Sequence, residues 1–318
     1  KIDQELSLLS PKFSNNVLDA QNQFELWITD KTDLDGLPDG IISLAKSAAK
    51  EKKKDKQWLF TLQMSSYVPF MTYSSKRHLR EHLMKAQGTL CNGGKYDNTK
   101  IIKNIVKLQH QKAKILGYNT FADYVLEDRM AENTNNVYNL LDNLFDYSYK
   151  AAKTEMNELK GFAKEEDNLN DFKQWDLLYY KEKLKKQKYD FDEETLRPYF
   201  KTENVLNGVF TVANKLYGLK FNEKTDIQTW HEEVKCYEVL NDDDSYVGFL
   251  YADLYPRSTK RSGAWMNPIL ENGLYNGKIR RPQVAFVCNL SPSTDEKPSL
   301  LTYREVETIF HEFGHCLH

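Results

Sequence analysis

Through the first two thirds of the chain, apolar residues recur every three to four positions, the period of a helix that buries one face. In DNTKIIKNIVKLQHQKAKILGY (residues 97–118) they fall at Ile101, Ile102, Ile105, Val106, Leu108, Ala113 and Leu116. Asp97, Asn98 and Thr99 offer N-caps and Gly117 stands where a helix stops, so this stretch is predicted helical. TNNVYNLLDNLFDYSYKAAKTEMNELKGFAKEE (134–166) predicts a longer amphipathic helix, with Val137, Leu140, Leu141, Leu144, Phe145 and Tyr149 on its apolar side. TENVLNGVFTVANKLYG (202–218) repeats the pattern, with Thr202 as cap and Gly218 as stop.

The period shortens after Lys220. KCYEVLNDDDSYVGFLYADLY places two β-rich runs around the turn-forming cluster Asn241 to Ser245, the pattern of a β-hairpin. GAWMN (263–267) and VAFVCNL (284–290) are further strand candidates, separated by a connection punctuated with Gly and Pro. The pattern then returns to helix, where Thr302 followed by Glu305 forms a capping box. The fold class expected is mostly α with a small β-hairpin or sheet subdomain just before the last helix. Residues 1–219 form the helical part and residues 220–318 the β subdomain with that helix. The chain contains no internal repeat.

Composition narrows the function. Apolar residues make up 40% and charged residues 28% of 318 positions, the mix of a chain that folds rather than one that stays disordered. A formal net charge of −2 gives no electrostatic case for nucleic acid or an anionic membrane as partner, and leaves KEKKKDK (50–56) and KEKLKKQK (181–188) as solvated helix faces. No apolar run reaches membrane-span length, and KIDQELSLLS lacks the pattern of a signal peptide. Cys91, Cys236, Cys288 and Cys316 form no CxxC pair, which suits free thiols in a reducing compartment. Cytoplasm is the expected location, with periplasm the alternative.

The chemistry concentrates in TIFHEFGHCLH (308–318). From the cap at Thr302, Val306, Ile309, Phe313 and Leu317 line one side of the helix, while His311, His315 and His318 line the other. His-Glu-x-x-His on a helix sets two imidazoles one turn apart, the spacing two zinc ligands need. His311 and His315 are the expected ligands. Glu312 is the expected general base, able to take a proton from the water that attacks a peptide carbonyl. A catalytic zinc of this kind also needs a third protein ligand and one open position. Gly314 costs helix stability, which suggests the close approach of another backbone. His318 falls seven positions after His311 rather than ten, and is read as a supporting or structural residue rather than a ligand. His78 and His82, among Arg and Lys, read as an exposed helix face; His110 and His231 have no partners in the pattern.

HEFGHCLH resembles the signature HEFGHxxH of the thimet oligopeptidase (M3) family of zinc peptidases. MTYSSKRHLREHLMKA, WDLLYYKEKLKKQKYDFDEETLRPYF, VANKLYGLKF and KRSGAWMN also resemble segments of that family, in the same order. They are most similar to its bacterial peptidyl-dipeptidase branch. The resemblance implies a zincin-type, mostly helical fold split by a deep cleft that admits short unstructured peptides, with the zinc helix at its floor. It implies one zinc per complete catalytic domain, bound by His311 and His315, with Glu312 as base. It places Gly263, Ala264 and Trp265 in an edge strand that pairs with bound peptide. The family's third ligand, a glutamate, and its oxyanion and substrate groups come from segments following the motif. Residues 1–318 are therefore expected to carry part of a catalytic domain and to be inactive alone. The activity implied is release of C-terminal dipeptides from oligopeptides by a monomer; endo-cleavage is the alternative.

Overall fold

The computed structural model describes residues 1–294 and 297–318. In chain order, α1 (Ile2–Gln23) precedes β1 (Leu26–Ile28), α2 (Asp39–Glu51), β2 (Trp58–Phe60) and α3 (Met64–Tyr73). Then follow α4 (Arg77–Gly88), α5 (Thr99–Ile115), α6 (Phe121–Leu126), α7 (Thr134–Asp167), α8 (Leu177–Tyr189) and α9 (Thr202–Tyr217). The remainder is β3 (Lys220–Lys224), β4 (Lys235–Leu240), β5 (Tyr246–Asp253), β6 (Trp265–Leu270), β7 (Gly273–Tyr275), β8 (Lys278–Arg280), β9 (Gln283–Val287) and α10 (Tyr303–Leu317). The protein is mostly α-helical, with small sheets.

The chain forms two compact units, each assembled from two segments. One comprises residues 1–25 and 76–188, and the other residues 26–75 and 189–318. The stretch 220–318, set apart by its strand pattern, lies wholly in the second.

The first unit is helical. The predicted helices at 97–118 and 134–166 are α5 and α7. Asn133 caps α7 by accepting from the Asn136 N–H at 2.9 Å. The end of α7 packs Leu159 and Ala163 against Tyr180 of α8. Its apolar stripe earlier on is open to solvent among the described residues: Leu140, Leu141, Leu144, Phe145 and Tyr149 are each more than half exposed. Asp176, in a 3₁₀ turn before α8, is fully buried and anchors α4 by accepting from Arg77 (3.0 Å) and Arg80 (3.0 Å). Burial alone would raise its carboxyl pKa, but the donors from Arg77, the Lys173 backbone and Arg80 outweigh it and hold the group below its ordinary value.

The second unit is built on a five-stranded sheet of order β3-β4-β5-β9-β6, antiparallel except where β5 runs parallel to β9. Alternation sorts its residues. Tyr237, Val239, Leu250, Ala252 and Phe286 face a core shared with α9 and α10, while Cys236, Tyr251, Ala285 and Val287 pack on the reverse side. The predicted hairpin is β4–β5, closed by the Asn241 N–H bonding the Ser245 carbonyl at 2.9 Å. Gly218 (φ +72°) stops α9 in the left-handed conformation, as its position suggested. Thr202 differs from expectation. It stands one residue inside the helix, and its hydroxyl pairs with Ser299 at 2.6 Å instead of capping.

Two features were absent from the sequence reading. Strands β1 and β2 form a small antiparallel pair. The connection between β6 and β9 is itself a hairpin, β7–β8, turning at Asn276 and Gly277, both with positive φ.

Candidate metal centre

The helix α10 starts where the capping box placed it. Thr302 Oγ1 accepts the Glu305 N–H at 3.2 Å, and Glu305 returns the bond to the Thr302 N–H at 2.7 Å. The other Glu305 oxygen accepts from the Ser291 N–H (2.6 Å) and hydroxyl (2.9 Å), tying the start of the helix to the segment after β9. Ile309 (fully buried) and Phe313 (4% exposed) then seat the helix on the sheet, with Phe313 among the rings of Phe210, Phe221 and Phe286.

The buried stripe is rotated from the expected one. Cys316 packs against the core, and Leu317 is 39% exposed. Glu312 comes with the stripe. At about 100° per residue it lies roughly 60° from Ile309 on the side towards His315, and it is 7% exposed. It has no hydrogen-bond partner among the described residues, although its charge reaches the thiols of Cys288 and Cys316. Burial first, then that charge, pushes both thiols up to about 12. All four cysteines are free. Gly314 does not sit against another backbone: a Cβ added there meets no described atom within 4 Å.

His311 and His315 are exposed, with rings perpendicular and their Nε2 atoms facing each other at 3.1 Å. Two nitrogens each ~2.05 Å from a tetrahedral zinc lie about 3.3 Å apart. The pair thus fits a shared cation with little adjustment, and the donor type, imidazole nitrogen, suits zinc. The described residues contain no cluster of three or more His, Cys, Asp or Glu able to hold a metal. His318 is exposed and, with His315, lines an apolar cavity of about 360 Å³ between the end of α10 and the sheet. His78 and His82 are exposed, as expected, and so is His110.

Gly263, Ala264 and Trp265 lead into β6, which pairs with β9 and is, among the described residues, an edge strand of the sheet. Ala264 packs against the core that holds Ile309 and Phe313, while Trp265 packs on the opposite face and carries the Arg261 guanidinium over its ring at 4.2 Å. Gly263 has φ +100°, a conformation that side chains other than Gly rarely adopt.

One cluster went unread in the sequence. Asp253, last residue of β5 and 3% exposed, accepts from Arg257 (2.7 and 2.8 Å), Lys260 (2.8 Å) and the Trp230 indole (2.9 Å). Burial opposes its charge, but these donors outweigh burial and bring its pKa down to about 2. Its signal in the sequence was an Asp closing an apolar strand, with Arg and Lys four and seven positions on.

A profile of the family described as Peptidase family M3 matches residues 70–318, and the chain belongs to that family. It is 37% identical over 319 residues to "Oligopeptidase A" of Haemophilus influenzae, covering 98% of this chain and 47% of that protein. Identity to "Organellar oligopeptidase A, chloroplastic/mitochondrial" of Arabidopsis thaliana is 39% over 334 residues, covering 100% and 42%. To "Dipeptidyl carboxypeptidase" of Escherichia coli it is 31% over 319 residues, covering 100% and 46%. The chain thus spans about half the length of the curated relatives it matches. Within the family, the similarity to oligopeptidase A exceeds that to the peptidyl-dipeptidase branch, which the sequence motifs had favoured.

Proposed function

We propose that the protein carrying this chain is a zinc metallopeptidase that hydrolyses short, unstructured oligopeptides. The observation that carries this reading is the pair of facing imidazoles at 3.1 Å, flanked by a buried carboxylate free of hydrogen bonds among the described residues. His311 and His315 would hold the metal through Nε2. Zinc, when bound, supplies Lewis acidity and lowers the pKa of a water. Glu312 would accept the proton of the attacking water and deliver it to the leaving amine; no described residue hydrogen-bonds its oxygens. The backbone of Gly263, Ala264 and Trp265 would hold the peptide by extending the sheet at this edge strand.

Two modes of cleavage remain in play within the family. Internal cleavage of oligopeptides is one reading, and the proteins at 37% and 39% identity are named oligopeptidases. Release of C-terminal dipeptides is the second reading, supported by 31% identity to a dipeptidyl carboxypeptidase. Mass spectrometry of a blocked nonapeptide digested by the full-length protein separates them. Sequential dipeptides from the C-terminus support the second reading; a single internal cut supports the first. A digest identical to the buffer control sinks both.

Residues 1–318 alone are proposed to be inactive, since two imidazoles hold zinc weakly without the third ligand that the family resemblance assigns to a glutamate. Metal analysis of the isolated chain tests this, and stoichiometric zinc with robust cleavage would refute it. A monomer working in the cytoplasm is the remaining part of the proposal, in keeping with the four free thiols. No helix among the described residues is long and apolar enough to cross a membrane.

A further inference from the structure

We infer that Asn289 and the buried cluster around Asp253 are positioning residues for peptide binding, fixing Gly263 and Ala264 so that the edge of β6 is ready to accept an extended chain. The inference rests on the reading of β6 as the peptide-binding edge. In the sheet order, β9 lies between β5 and β6, so the segment from Leu254 to Ala264 must leave β5, pass the end of β9 and enter β6. It has no strand or helix of its own to hold it. Side chains do so instead, from both ends.

At the start, Lys260 Nζ donates to the Asp253 carbonyl (2.9 Å), the Asp253 carboxylate (2.8 Å) and the Tyr255 carbonyl (2.8 Å). Three protons meet three acceptors, which closes the segment into a loop about a single ammonium. The bidentate Arg257 and the Trp230 indole occupy the rest of the carboxylate. Backbone bonds from Cys288 to Asp253 (2.8 Å) and from Leu290 to Leu254 (2.9 Å) extend the β5–β9 pairing past the strand ends. At the far end, both amide protons of Asn289 are used on the segment, towards the carbonyls of Arg261 (3.0 Å) and Gly263 (2.7 Å). The second bond holds the residue whose positive φ aims the chain into β6.

These contacts do more than fill a core. Asn289 is only partly buried, and its bonds end on the backbone immediately before the edge strand. An edge that must order itself while binding loses affinity to that ordering, whereas a fixed edge does not. Freeing the segment should therefore weaken peptide binding and leave the proton chemistry at Glu312 largely intact.

The test uses the full-length protein with Asn289→Ala, Lys260→Met, Arg257→Met and Arg257→Lys. KM and kcat are measured on a peptide long enough to lie along β6, and peptide affinity is measured separately in a Glu312→Gln background. Asn289→Ala and Lys260→Met should raise KM and Kd about tenfold, the worth of one charged or well-oriented hydrogen bond, with kcat within about twofold. Arg257→Met should do the same, and Arg257→Lys, which keeps the charge but loses the two-pronged contact, should recover only part of the affinity. Should Lys260→Met fail to fold, Asn289→Ala decides, its side chain being only partly buried. Folded variants with wild-type KM and Kd overturn the inference while leaving the peptidase reading intact. Wild-type protein that binds no peptide overturns both.

Discussion

Replacing Glu305 by Gln should destabilise α10 even though Gln is a good capping-box residue. Each carboxylate oxygen has its own task. One accepts the Thr302 N–H at 2.7 Å to close the cap, and the other accepts the Ser291 N–H at 2.6 Å and hydroxyl at 2.9 Å. A Gln side chain has one acceptor oxygen and a donating NH₂, so it can serve the cap or Ser291, not both. Ser291 is 6% exposed, which leaves little water to replace the missing acceptor. Hydrogen bonds to a charged group are worth about 1.5–3 kcal/mol, and that is the expected loss for Glu305→Gln. Glu305→Ala removes both tasks and should cost up to about twice as much, while Thr302 still caps the Glu305 N–H in each variant. Urea unfolding of the full-length protein measures the total, and amide hydrogen exchange along α10 locates it. Exchange should quicken at the start of α10 and in residues 289–292. A Gln variant that matches wild type by both measures would refute the division of labour between the two oxygens.

Glu312→Gln in the full-length protein should keep zinc but lower kcat by on the order of 10²-fold or more; a variant near the wild-type rate would end the base assignment. The Asp253 carboxyl, near 3.9 in an unfolded chain and about 2 in the fold, contributes stability that is present in full above the unfolded value and lost as pH falls through the folded one. Between pH 5 and pH 2 the wild type should thus lose on the order of 2 kcal/mol more than Asp253→Asn; equal pH slopes in urea unfolding would refute this. Cys288, fully buried with its thiol pushed up to about 12, should resist iodoacetamide at pH 8 until the fold opens. Labelling as fast as that of an unfolded control, read by mass spectrometry, would contradict that environment.

Local signals were read well from the sequence and packing signals less so. The capping box at Thr302, the stop at Gly218 and the β4–β5 turn depend on residues close together in the chain, and each appears as expected. The His311–His315 juxtaposition follows from helical pitch alone. The rotation of α10 that buries Glu312 and exposes Leu317 could not be read this way, because it is set by Phe210, Phe221 and Phe286 lying far off in sequence. The apolar stripe of α7 was legible as a stripe, but periodicity does not say what covers it. The Asp253 cluster gathers Trp230 from another segment, which no local pattern predicts. The β7–β8 turn, by contrast, is legible: Asn-Gly between Leu-Tyr and Lys-Ile is a strong hairpin signal.

The interleaving of the two units has a consequence for synthesis. Residues 26–75, with the β1–β2 pair and α2, belong to the same unit as residues 189–318. On a ribosome they emerge before residues 189–318 and then wait while residues 76–188 are made, roughly 6 to 23 s at ~5–20 residues per second. Through that interval Ile28, Phe60, Leu62 and Phe70, nearly or fully buried in the finished fold, lack the later half of their unit. The helical unit can close meanwhile, from a segment already made and one just emerging. Of the two units, the helical one can thus close first, and the sheet that seats α10 only after residues 189–318 have been made.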